Sequence, residues 1–160
     1  MESSSENIDN LLIEAMNAEI KAKEFYIYAS EKAQSKAGKK LFKELADFEQ
    51  NHYDRVKGII QTRKNGQKVE DIFSSPGIPS VRSEIEGEFE PNKDEVAMVI
   101  DLAIKAEKNA QERYLKIAKM LKDEKEKQIF SNLAQDEKNH QRILEDEFYN
   151  LSNKGTIIWE

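Results

Sequence analysis

The sequence predicts an all-α fold: a bundle of four helices arranged as two antiparallel hairpins. Three observations lead to it. Apolar residues recur with the 3.6-residue period of a helix along four long stretches. Three prolines and six glycines are all that interrupt 160 residues, of which 38% are hydrophobic and 35% charged, a composition suited to long helices with solvated outer faces. The second half of the chain also repeats the first.

Residues 1–6, at the start of MESSSENIDN, read as a short solvated tail, without the basic n-region and apolar h-region of a signal peptide. A cytoplasmic location is the corresponding expectation. The first helix, expected over residues 7–37 and stopping near Gly38, carries Ile8, Leu11, Leu12, Ala15, Glu19, Ala22, Tyr26, Ala29 and Ala33 on one face. The second, over 39–65, does the same with Leu41, Phe42, Leu45, Glu49, His52, Val56, Ile59 and Ile60, ending near Asn65 and Gly66.

The connection over 66–91 is of a different kind. It holds all three prolines and the cluster SSPGIPS, and shows no strong period beyond a possible helical turn from Val69 to Phe73. A link this long is uncommon inside a compact domain unless it crosses from one end to the other. The third helix, over 92–121, has Asn92 as a cap after Pro91 and the stripe Val96, Val99, Ile100, Ala103, Glu107, Ala110, Tyr114, Ile117 and Leu121. The fourth, over 123–152, carries Ile129, Phe130, Leu133, Glu137, His140, Leu144 and Phe148 and is expected to fray toward Asn153 and Gly155. Trp159, in the terminal GTIIWE, is expected to anchor an interface, since TIIW would otherwise be exposed apolar surface. All of this fits one domain, 1–160.

Composition excludes several functions. The absence of cysteine removes disulfides, cysteine-ligated zinc fingers, iron–sulfur clusters and thiol nucleophiles, so any metal must sit on oxygen and nitrogen. A net charge of −6 with interspersed Lys and Glu leaves no basic footprint for nucleic acid. No run approaches the roughly 18 apolar residues that a membrane span requires, so no membrane partner is expected.

The repeat organises what remains. AEIKAKEFY (Ala18 to Tyr26) aligns with AEKNAQERY (Ala106 to Tyr114), and LFKELADFEQNH (Leu41 to His52) with IFSNLAQDEKNH (Ile129 to His140). The offset is constant: 107 − 19, 137 − 49 and 140 − 52 all equal 88. Two helical hairpins of one ancestry is the economical explanation.

Each hairpin places polar residues on its apolar stripe. Positions three apart differ by about 60° around a helix and about 4.5 Å along it, so Glu49 and His52 project toward one point, as do Glu137 and His140. These are the only two histidines in the chain. In an antiparallel hairpin, residues equidistant from the turn lie level. Glu19 and Glu49 have their midpoint at 34 and Glu107 and Glu137 at 122, both at turns, so each Glu faces its partner's Glu-x-x-His. If the hairpins pack about a twofold axis perpendicular to the bundle, both sets converge, and the long connection spans the bundle's length.

Four carboxylates and two imidazoles then meet in one buried layer, which is very unfavourable without a cation. Two divalent ions offset four carboxylates, and hard oxygen with borderline imidazole suits iron, manganese or zinc. The alternatives for the same six residues are polar positions at the bundle's edge or a cluster that does not bind metal. Phe25, Tyr28, Phe48 and Tyr53 flank the stripe as packing or interface residues.

On these motifs, Glu19 in AEIKAKEFY, EQNH (Glu49, His52), Glu107 in AEKNAQERY and EKNH (Glu137, His140), the chain resembles the rubrerythrin-like branch of the ferritin-like di-iron carboxylate proteins. The resemblance implies a ferritin-like four-helix bundle holding two iron ions. Glu49 and Glu137 would bridge them, Glu19 and Glu107 would be terminal ligands, and His52 and His140 would bind one iron each. Tyr26, seven residues after Glu19, would hydrogen-bond to the ligand sphere, with Tyr114 as its repeat equivalent. A non-haem di-iron oxidoreductase of peroxidase or ferroxidase type, acting on peroxide or O2, is the implied activity; an iron-storage or metal-binding bundle without turnover is the alternative.

Two departures from the family pattern stand out. Rubrerythrins proper carry a four-cysteine rubredoxin domain, and this chain has no cysteine, so the implied electron donor is a separate, rubredoxin-like carrier. They also carry a further glutamate three residues after the terminal one on the third helix, where this chain has Ala110. The long crossover permits exchange of hairpins between two chains, and a homodimer is the expectation.

Overall fold

A computed structural model describes residues 4–67 and 87–159, with side chains in the first helix described from Ile8 onward. Among these residues there are four long helices: α1 (Ser4–Lys32), α2 (Lys36–Lys64), α3 (Lys93–Met120) and α4 (Glu124–Lys154). Two short strands, β1 (Glu88–Phe89) and β2 (Thr156–Ile157), pair antiparallel. α1 packs along α2 and α3 along α4, and the hairpins meet mainly through α1 against α3. The all-α four-helix bundle read from the sequence is the architecture found. The Val69 to Phe73 turn, like most of the 66–91 connection, lies outside the described residues.

The core is in two parts. One joins the C-terminal half of α1 (Tyr26, Ala29, Ala33) to the start of α2 (Leu41, Phe42, Leu45), the start of α3 (Val96, Ile100) and the end of α4 (Leu144, Leu151). The other joins Leu12 and Ala15 of α1 to Val56 and Ile59 at the end of α2, Tyr114 and Ile117 of α3, and Ile129 and Leu133 of α4. Helices α1 and α3 are therefore antiparallel. The end of α2 and the start of α3 lie at opposite ends of the bundle, which is why a long connection is needed. The layer between the two apolar clusters contains Glu19, Glu49, His52, Glu107, Glu137 and His140.

The helix ends correct the sequence reading in three places. First, α1 begins at Ser4 and stops at Lys32, and Gly38 lies inside α2. The turn is set by Ser35, whose hydroxyl caps α2 by accepting from Gly38 N at 2.9 Å. Buried Glu90 reinforces it from 55 residues away, its carboxylate accepting from Gln34 N, Ser35 N, the Ser35 hydroxyl and Asn92 N. Although burial raises its pKa, those donors outweigh burial and hold Glu90 below the ordinary carboxyl value. Gly38 permits this close approach. A Cβ there would lie 2.9 Å from Ala33 Cβ, Glu90 Oε1 and Ser35 Oγ.

Second, Asn92 stands at the N-cap of α3 but its side chain caps nothing there. Its amide donates instead to Lys32 O at 2.8 Å and to Glu95, tying the start of α3 to the end of α1. Third, α4 does not fray: Gly155, at φ 68°, closes it in the left-handed conformation, and the chain turns directly into β2. Trp159 is consequently buried within its own bundle, with its indole N–H donating to Glu44 at 2.8 Å; it is not an exposed interface anchor. No helix among the described residues is long and apolar enough to cross a membrane.

Candidate metal centre

Glu19, Glu49, His52, Glu107, Glu137 and His140 all lie near the middles of their helices, and none is more than 2% exposed. They form two groups, Glu19/Glu49/His52/Glu137 and Glu49/Glu107/Glu137/His140, each with one ligand-type atom per residue and all such atoms within 4.8 Å of one another. Glu49 and Glu137 belong to both. The pairwise distances show the same division. His52 Nδ1 is 2.7 Å from Glu137, 3.7 Å from Glu19 and 3.9 Å from Glu49. His140 Nδ1 is 3.4 Å from Glu49, 3.6 Å from Glu107 and 3.8 Å from Glu137. The two rings are near-parallel, 14° apart, with centroids separated by 5.9 Å.

Seven atoms at the centre of this cluster have no hydrogen-bond partner among the described residues: Glu19 Oε2, both Glu49 oxygens, His52 Nδ1, Glu107 Oε2, Glu137 Oε1 and His140 Nδ1. Even the 2.7 Å approach of His52 to Glu137 lacks hydrogen-bond geometry. Buried polar atoms are normally satisfied, and each failure costs on the order of 1–3 kcal/mol. Unpaired carboxylate and imidazole atoms that share one small space fit a pair of hard or borderline cations.

Without a cation the cluster relieves its charge with protons. Burial, then the Glu137 and Glu19 carboxylates, push Glu49 well above the ordinary carboxyl value; burial, then Glu107 and Glu19, do the same to Glu137. Burial also pushes Glu19 and Glu107 up, but their neighbours outweigh it and hold both below the ordinary value. Glu19 lies beside Glu49 and His52 and accepts from Tyr114, and Glu107 faces His140 and Glu137 and accepts from Tyr26. Burial pulls His52 down, yet the hydrogen bond to Asp136 and the Glu19 and Glu49 carboxylates raise it to about 10. The four carboxyls of the layer thus fall into two kinds, Glu49 and Glu137 raised and Glu19 and Glu107 lowered.

The tyrosines complete a crossed pair. Tyr26 of α1 donates to Glu107 of α3 at 2.5 Å, and Tyr114 of α3 donates to Glu19 of α1. Burial and the facing glutamates keep both phenols well above their ordinary pKa and therefore as donors. Each hairpin in this way orients a carboxylate of the other. Tyr26→Phe is expected to lower the stability of the metal-free protein by about 1–3 kcal/mol, read by thermal denaturation; an unchanged midpoint would show that the phenol only packs.

One contact was missed in the sequence. Asp136, immediately before Glu137, has Oδ2 at 3.1 Å from His52 Nε2 and at 3.4 Å from Arg55. Its signal was a departure from the repeat, because the aligned position is Phe48.

A cavity of about 350 Å³ between α1 and α3 reaches the cluster. Ala18, Ala22, Ala106 and Ala110 line it, together with Glu19, Glu49, Glu107 and Glu137, and Lys21 and Arg113 border it. Ala110 stands where a bulkier side chain would fill this space. A larger hollow of about 700 Å³ at the Arg63 and Asp123 end of the bundle holds none of the six residues.

The family model described as Rubrerythrin matches residues 10–148. A solved structure described as a hypothetical protein from Pyrococcus furiosus is similar over 91% of this chain and 90% of that one, with 31% sequence identity and a TM-score of 0.72. Comparison with curated proteins finds no match. With a family match across both hairpins and the buried carboxylate and histidine cluster that the fold assembles, this chain belongs to the rubrerythrin family.

Proposed function

We propose that the protein is a non-haem di-iron oxidoreductase that reduces peroxide or O2 with electrons from an external carrier. The observation that carries this reading is the pair of buried four-residue groups sharing Glu49 and Glu137. Glu49 and Glu137, within reach of both histidines, would serve both ions; Glu19 and Glu107, each near one histidine, would serve one each; His52 and His140 would each hold one ion through Nδ1. When bound, an iron(II) pair supplies two electrons, and hydrogen peroxide with two electrons and two protons becomes two molecules of water.

The chain's own residues supply the surroundings for that chemistry. The alanine-lined cavity admits a molecule of peroxide size to the carboxylate face while the two apolar clusters exclude bulk water. Tyr26 and Tyr114 hold Glu107 and Glu19 in place through neutral hydroxyl donors. On this reading the electrons come from an external carrier.

The test is anaerobic loading with two equivalents of iron(II), followed by peroxide or by O2, with the optical spectrum of oxidised iron recorded and a reductant then added. Fast oxidation by peroxide and repeated cycles with reductant support the reading. Iron accumulating far beyond two per chain supports storage instead, and no oxidation by either oxidant contradicts both.

A further inference from the structure

The duplicated hairpins are nearly equivalent in the six candidate ligands, but they are not equivalent behind the histidines. His52 turns Nδ1 toward the carboxylates and meets Asp136 Oδ2 with Nε2, at 3.1 Å. Arg55, itself buried, places its guanidinium 3.4 Å from the same oxygen. His140 also turns Nδ1 toward the carboxylates, but its Nε2 is buried with no hydrogen-bond partner among the described residues. Its ring packs edge to face against Phe48, with centroids 4.8 Å apart. The repeat makes the substitution plain: 136 − 48 and 143 − 55 both equal 88, so Phe48 occupies the place of Asp136 and Ile143 that of Arg55.

An imidazole that ligates a cation through Nδ1 must carry its proton on Nε2. A carboxylate accepting that proton fixes the tautomer, orients the ring and increases the electron density at the ligating nitrogen. Where no acceptor exists, cation binding leaves a buried N–H unsatisfied, and its cost is subtracted from the affinity. On the reading of this cluster as a two-cation centre, we infer that the two halves are unequal: the Glu19/His52 position fills first and holds its cation more tightly, and the Glu107/His140 position is the exchangeable one. Asp136 acts here as a positioning residue, working through His52. Loss of such an outer partner costs roughly 10- to 100-fold in metal affinity, which sets the expected separation of the two steps.

The chain has two histidines, one in each half, so each imidazole reports one position. The experiment is a zinc(II) titration of metal-free protein labelled with 15N-histidine, followed by NMR of the ring nitrogens, with His140→Gln used to assign the signals. The expected result is that the His52 nitrogens shift over the first equivalent and those of His140 over the second. In Asp136→Asn, checked for fold by circular dichroism, the two steps are expected to draw together by roughly ten-fold or more. Parallel shifts of both rings in the unmodified protein, or His140 responding first, would overturn the inference and leave the two-cation reading standing. Rings that do not respond to zinc at all would overturn that reading and the inference with it.

Discussion

Changing Glu49 and Glu137 together to glutamine is expected to abolish tight binding of cations and, in the same protein, to make the metal-free fold more stable at neutral and alkaline pH. The first effect follows because these two side chains belong to both four-residue groups, so neither position keeps its full ligand set. The second follows from their environment. Both are buried, both lie against other glutamates, and burial first of all pushes both carboxyls well above their ordinary pKa. Near pH 8 the native fold must either keep a proton on each or bury its charge, whereas glutamine is a neutral near-isostere that can donate to Glu19 and Glu107. The expected gain is about 1–3 kcal/mol at pH 8, shrinking toward pH 4.5, where the carboxyls are protonated in any case. Denaturant unfolding of the metal-free variant and wild type at both pH values checks it. A variant that is less stable at pH 8 would mean that the cluster is satisfied without metal.

The other large effect is a divergence of metal-free and metal-loaded stability with pH. His52 has its folded pKa raised from 6.5 to about 10, so the stabilisation its proton provides is complete below pH 6.5 and is lost as pH rises toward 10. Glu49 and Glu137, also raised, have the same sign, their contribution declining as pH climbs above 4.5. Glu19 and Glu107, lowered, contribute above 4.5 and lose that contribution only on acidification below it. The metal-free protein should therefore lose thermal stability steadily from about pH 6.5 to 10. A bound cation replaces the protons, so the loaded protein should not follow. At cation concentrations 100-fold above the dissociation constant, each site adds about 2.7 kcal/mol, and two sites together raise the midpoint by roughly 10–20 °C in a domain of this size. Differential scanning calorimetry across that pH range, with and without zinc(II), measures the divergence. Parallel curves would contradict it.

Much of this site was legible in the sequence because its signal is periodic. Glu19, Glu49, His52, Glu107, Glu137 and His140 stand on apolar stripes with a constant offset of 88, and a polar residue at a core position requires a reason. The hairpin midpoints then place them level without any tertiary information. Features that rest on irregular backbone or on distant partners were not legible in the same way. Gly38 reads as a helix stop, yet it sits inside α2 because Ala33, Ser35 and Glu90 crowd its Cα. Glu90 looks like one more acidic residue, and only the fold brings it to the backbone N–H groups of a turn 55 positions earlier. Trp159 reads as an interface anchor because nothing local shows that Gly155 turns the chain back onto the bundle. Asp136 is intermediate: the mismatch with Phe48 is visible on aligning the halves, but its partner, His52, lies on a different hairpin.

The most direct test of the central claim, that one buried layer built twice over by a duplicated hairpin holds two cations, is anomalous X-ray diffraction from crystals of the iron-loaded protein. Two iron peaks per chain are predicted at mid-bundle, with Glu49 and Glu137 touching both, Glu19 and His52 touching one, and Glu107 and His140 touching the other. Iron bound elsewhere on the molecule, or none within the layer, would contradict the account.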